Sequence, residues 1–244
     1  MAVKSIQYLQ HTFDICYEIL NPEAKVDIII LHGWGANKEF MKNSFGSYMQ
    51  GFRHIYIDLP GFGNSTCPIA LDTKDVARIV ELLMIHINAK KDIVLGHSFG
   101  GKVALILDPK VLILIASAGI YRNKPLIVKL KIAATKFLNY FGLSRFRTLF
   151  VAEDAKKLSR PMYETFKNVV NEDFRDEFSK FHGKALICFA KEDSATPLSS
   201  GKEMSKLIKD SRLEVYEGDH FFFTKNAENI AKKSEETFLT TLGN

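Results

Sequence analysis

Six short apolar runs recur along the chain, and segments of helical spacing separate them. This alternation narrows the fold more than any other feature. The runs are Val26–Leu31, Ile55–Asp58, Ile93–Leu95, Val111–Ala116, Ala185–Phe189 and Leu213–Tyr216. Most are apolar nearly throughout, the pattern of parallel strands covered on both faces. Between them, Thr73–Asn88 sets Val76, Ile79, Val80, Leu83 and Ile87 on one helical face, with Asp72 placed to cap its start. Lys102–Leu107, Gly201–Ile208 and Asn226–Leu242 supply further helices. The expectation is an α/β fold with a mainly parallel central sheet flanked by helices. Around Tyr8 and over Ile15–Leu20 polar and apolar residues alternate, which suits an antiparallel edge. The strand–helix alternation stops between Gly119 and Lys180, where only helix-like patterns such as Leu126–Phe141 occur. The expected organisation is therefore a core of residues 1–119 and 181–244 with a helical insertion over 120–180.

A chain of 244 residues buries a sizeable core as one domain, and its 46% hydrophobic content excludes a disordered tail or a fibrous repeat. No apolar run approaches the ~18 residues of a membrane span. The start, MAVKSIQYLQHTFD, has neither an apolar core nor a small-residue cleavage site, so a cytoplasmic location is expected. Three cysteines without CxxC spacing support neither a metal site nor a disulfide framework. Cys16 and Cys188 fall in apolar runs, as small buried thiols do. The net charge of +5 is uneven: Tyr121–Lys167 holds eleven Lys or Arg against three Asp or Glu. Solvated helix faces account for such a stretch, and so does a patch that meets an anionic partner. No nucleic-acid-binding motif accompanies it, and no membrane association is expected.

The strongest local signal is Gly96-His97-Ser98-Phe99-Gly100-Gly101, directly after one apolar run and before a helical one. In G-x-S-x-G the glycines allow a tight, strained turn that lifts the serine hydroxyl clear, and the following helix N-terminus favours negative charge on a bound carbonyl oxygen. The bare pattern arises by chance in about one chain in ten of this size; the strand–turn–helix setting raises its weight. A serine hydroxyl needs a base, and of seven histidines His220 lies just past the last strand, in Glu217-Gly218-Asp219-His220. A third group must orient that imidazole. Asp193, after the strand ALICF, has the right placement, and Glu192 beside it competes. The order Ser98, Asp193, His220 matches the Ser, Asp, His chain order that accompanies a G-x-S-x-G turn between strand and helix in hydrolases. No cofactor and no metal are expected.

His32-Gly33-Trp34-Gly35, Asp58-Leu59-Pro60-Gly61-Phe62-Gly63-Asn64-Ser65, GHSFGG, Asp193 with Pro197, and Gly218-Asp219-His220 together resemble the α/β-hydrolase superfamily over nearly the whole chain. The resemblance implies an α/β-hydrolase fold whose insertion is the cap. It also implies a serine carboxylesterase acting on a small ester through Ser98, Asp193 and His220, with an oxyanion hole from the backbone N–H groups of Trp34 and Phe99. The Trp34 side chain either lines the acyl pocket or packs, and Phe221 is a second substrate-contact candidate. Asp58–Ser65 reads mainly as a structural loop, with Ser65 a weak functional candidate. HGWGAN and DLPGFGNS are most similar to the pimeloyl carrier-protein methyl ester esterases. That likeness implies an acidic acyl carrier protein docking on the basic cap through residues such as Lys129, Lys131, Arg145, Arg147, Lys156, Lys157 and Arg160. His97 departs from the Trp of that family. The carbon–carbon hydrolases of meta-cleavage products are an alternative, against which stand His97 and the run Phe221-Phe222-Phe223. A non-catalytic ligand-binding protein of the same fold is the other alternative.

Overall fold

The computed structural model describes residues 1–122 and 159–242. Eight strands form one sheet: β1 (Ala2–Tyr8), β2 (His11–Leu20), β3 (Asp27–Leu31), β4 (Arg53–Ile57), β5 (Ile93–His97), β6 (Val111–Ile115), β7 (Lys184–Ala190) and β8 (Ser211–Tyr216). Their order is β1-β2-β4-β3-β5-β6-β7-β8. The β1–β2 and β2–β4 pairs are antiparallel and the rest parallel, so the alternating N-terminal segments form the antiparallel edge.

Seven helices among the described residues flank the sheet: α1 (Lys38–Phe45), α2 (Thr73–His86), α3 (Phe99–Ile106), α4 (Arg160–Val169), α5 (Arg175–Lys180), α6 (Leu198–Leu207) and α7 (Phe223–Leu239). The central strands are buried on both faces, and successive residues point to opposite layers. In β3, Ile29 and Leu31 join the cluster that holds α2, α3 and α6. Ile28 and Ile30 join the one that holds α1 and α7. This two-sided burial accounts for the apolar runs of β3, β6 and β7, whereas the edge strand β8 (SRLEVY) has no fully buried residue.

Asp72 caps α2 as its sequence suggested, in a reciprocal capping box with Asp75. Two expectations shift. The helix after Ser98 begins at Phe99, not Lys102, because packing against the sheet overrides the poor helix propensity of Gly100 and Gly101. Helix α1, capped by Asn37, had not stood out, because its apolar stripe is only Phe40, Met41 and Phe45. Of the insertion, Arg160–Val169 and Arg175–Lys180 are helical. Leu126–Phe141 and the basic residues Lys129, Lys131, Arg145, Arg147, Lys156 and Lys157 lie outside the described residues. Arg160 is exposed in the first turn of α4.

Candidate active site

The loops that follow β3, β4, β5, β7 and β8 carry the motif residues, all at the carboxyl ends of parallel strands, where sheets of this kind form their ligand crevice. Ser98 occupies the single-residue turn between β5 and α3, at φ 52° and ψ −113°. That conformation costs a non-glycine residue ~1–3 kcal/mol and persists only where the surroundings enforce it. Here the Ser98 N–H donates to Ile115 O at 3.0 Å, and its carbonyl accepts from Ala118 and Gly101. The flanking glycines serve a different purpose from the one the motif suggests. Neither Gly96 nor Gly100 has positive φ; a Cβ on Gly100 would lie 2.5 Å from His32 O, and one on Gly96 would strike Gly100 O. The strain sits on the serine, and the glycines let the helix start press against strand backbone.

His220 and Asp193 meet. His220 Nδ1 lies 2.8 Å from Asp193 Oδ2, with the carboxylate side chain fully buried and the imidazole 18% exposed. Asp193 Oδ1 also accepts from the N–H groups of Ala195 (2.8 Å) and Thr196 (2.9 Å). The Thr196 hydroxyl lies 2.7 Å from Oδ2. Burial would raise the Asp193 carboxyl, but the bonds from His220 and Thr196 outweigh it and hold it below its ordinary value. Glu192, the competing carboxylate, is exposed and turns to the Gly218 N–H instead, tying the loop after β7 to the one after β8.

His97, next to Ser98, supports His220 from below: the ring centroids are 4.7 Å apart, and His97 Nε2 lies 3.2 Å from His220 O. Burial, with His220 beside it, pushes the His97 imidazole down to about 3, so it is neutral and Nε2 carries the donating hydrogen. Among the described residues no hydrogen bond joins Ser98 Oγ to His220; in unliganded enzymes such contacts are often long and tighten with substrate.

Ser98 opens into a cavity of about 730 Å³ that Trp34, Phe99, Ile120, Phe166 and Val169 line on its apolar side. Trp34 both packs and lines it, with its ring 4.8 Å from Phe62, 5.7 Å from Phe99 and 5.3 Å from Phe166. The Trp34 and Phe99 N–H groups have no protein acceptor among the described residues. Phe221 lies elsewhere. It is 47% exposed, does not line the cavity, and packs on Phe40 and His97, because the turn at Asp219–Phe222 carries it to the α1 side.

Two motif residues that invite functional readings are structural. His32 is fully buried, donates from Nδ1 to Gly33 O (2.8 Å) and accepts the Leu59 N–H at Nε2 (3.0 Å), which locks the HGWG turn to the Asp58 loop. Burial lowers its imidazole to about 4. Ser65 donates to Asp58 O and accepts from Cys16 N, and the buried Asp58 carboxylate is taken up by Lys38 and Asn64 N. Sequence reading missed Lys102 and Glu172, which line the cavity as an ion pair at 2.6 Å; their order-distant positions, 70 residues apart, gave no signal.

The α/β-hydrolase family model matches residues 28–232. The chain belongs to the α/β-hydrolase family and is a hydrolase. A pimeloyl-[acyl-carrier protein] methyl ester esterase of Neisseria meningitidis is 26% identical over 240 residues, covering 86% of this chain and 92% of that protein. Shorter matches at 35% and 37% identity, to esterases of that name from Pseudoalteromonas atlantica and Vibrio campbellii, span about a third of those proteins. An esterase from Exiguobacterium antarcticum superposes with a TM-score of 0.75 at 24% identity, over 96% of this chain and 98% of that one. A meta-cleavage product hydrolase from Pseudomonas fluorescens does so with 0.72 at 17%, over 98% of each. Both likenesses are of fold. No described helix is long and apolar enough to cross a membrane.

Proposed function

We propose that this hydrolase is a serine carboxylesterase in which Ser98, His220 and Asp193 act as a triad. The observation that carries the reading is the 2.8 Å contact of His220 Nδ1 with a buried carboxylate, at the strand ends beside the strained Ser98 turn. With Nδ1–H committed to Asp193, Nε2 is the basic nitrogen. It takes the Ser98 proton as Oγ attacks the ester carbonyl. The oxyanion forms against the N–H groups of Trp34 and Phe99, the latter at the start of α3. His220 then protonates the departing alcohol, leaving an acyl-enzyme on Ser98. It next deprotonates a water that attacks the acyl carbon, and returns that proton to Ser98 as the acid leaves.

Residues 120–180 form the cap over this site in our reading, supported by Phe166, Val169 and Glu172 among the cavity walls. The acyl group is a small one bedded against Trp34, Phe99 and Phe166. The finer assignment, a methyl ester presented by an acidic acyl carrier protein on the basic cap, draws support from the names of the relatives and from the charge of Tyr121–Lys167. A fluorophosphonate probe tests the chemistry: the wild-type chain gains the adduct mass on the peptide containing Ser98, and Ser98→Ala gains none. An unlabelled wild type, or equal labelling of both, overturns the triad.

A further inference from the structure

Thr196 belongs to no motif, yet its hydroxyl sits where three strand ends converge. Its Oγ lies 2.7 Å from Asp193 Oδ2, 2.9 Å from Ala116 O just past β6, and 3.3 Å from His220 Nδ1. Resting on the triad reading above, we propose that Thr196 is a positioning residue for hydrolysis, whose hydroxyl fixes the Asp193 carboxylate and, through it, the direction and proton affinity of His220.

A threonine hydroxyl has one hydrogen to give. The charged Asp193 oxygen is the nearer and stronger of its two acceptors, so the hydrogen goes to Oδ2. His220 Nδ1–H then points at the same Oδ2, with the Thr196 oxygen as a weaker second acceptor. The hydroxyl therefore does two things. It draws charge from the oxygen that faces His220, and it limits sideways movement of carboxylate and imidazole together. The backbone N–H groups of Ala195 and Thr196 fix Oδ1 alone, so they do not replace it.

Few other groups bear on the imidazole. Asp193 and His97 face it; Glu192 is taken by Gly218 N–H, Asp219 by Phe221 N–H, and from α1 the nearest ring, Phe40, packs on Phe221. His97, held near 3 by burial, stays uncharged over the working range. A change in the acid limb of the rate profile thus reports on the hold of Asp193 on the His220 imidazole.

The test compares Thr196→Val, which exchanges hydroxyl for methyl at constant shape, with Thr196→Ser, using an aryl ester from pH 5 to 9. In Thr196→Val the carboxylate, short of one donor, pulls harder on the imidazole proton. The acid limb of kcat/KM moves up by about half a pH unit, and kcat falls roughly fivefold with KM within about twofold. Thr196→Ser restores both. Fluorophosphonate titration of active sites corrects each rate for misfolded protein. A Thr196→Val enzyme with the wild-type limb and kcat overturns the proposal, as does equal loss in both variants. A wild type that the probe fails to label overturns the triad reading itself, a separate outcome.

Discussion

Strain and desolvation concentrate on a few residues around Ser98. The serine holds a left-handed backbone, and the two imidazoles beside the motifs, His32 and His97, are kept neutral by burial. His97 Nδ1 is the one buried side-chain nitrogen or oxygen without a partner among the described residues. These imidazoles make stability depend on pH. Their folded values, about 4 and about 3, lie below the ordinary 6.5, so the unfolded chain binds the extra protons. The contribution is complete above pH 6.5 and is lost as pH falls toward 4 and then 3. With both groups titrating only when unfolded, these two contribute a fall of roughly 3 kcal/mol per pH unit below pH 6, and the buried His54, lowered likewise, adds to it. Urea unfolding from pH 7.5 to 5 measures this. His97→Phe, at a position whose ring packs against Phe221 and Phe223, removes the His97 share and shows a shallower slope. A wild-type midpoint that stays flat over this range contradicts the assignment.

At the scale of elements, α3 is held more by its neighbours than by its own sequence. Its Lys102 is almost fully buried and bonds to Val169 O and Glu172 Oε2, both at 2.6 Å, while Glu172 also accepts from Thr73 at the start of α2. One ion pair thus joins α2, α3 and the turn after α4 along a wall of the cavity. Burial lowers the Lys102 ammonium, and Glu172 opposes that shift. Removing one partner strands a charge. Glu172→Gln therefore destabilises by about 3 kcal/mol, whereas pairing it with Lys102→Met recovers most of the loss, since a buried pair often gains little over apolar packing. Urea midpoints of the two variants decide it. If the double variant is no more stable than Glu172→Gln, the cost lies in lost packing and not in an uncompensated charge.

Over the whole molecule, what the sequence made legible was whatever local chemistry forces. The central strands were readable because both faces are covered, and the strand-end placement of Ser98, Asp193 and His220 was readable because each follows a strand-forming run. What stayed hidden depends on contacts between distant segments: Lys102 with Glu172, Thr196 with Ala116, and the turn that carries Phe221 away from the cavity. The charge of Tyr121–Lys167 is the opposite case, plain in sequence, with most of its residues outside the described ones. If it serves to gather an acidic carrier, its signature is long-range. Raising ionic strength from about 0.02 to 0.3 M shortens the screening length several-fold, so kcat/KM on a carrier-linked methyl ester falls at least tenfold while a free methyl ester is turned over at a constant rate. Reversing Lys156, Lys157 and Arg160 to Glu removes the salt effect and lowers the carrier-linked rate alone. Equal salt dependence on both substrates assigns the charge to solvation, and the ester to a free small molecule.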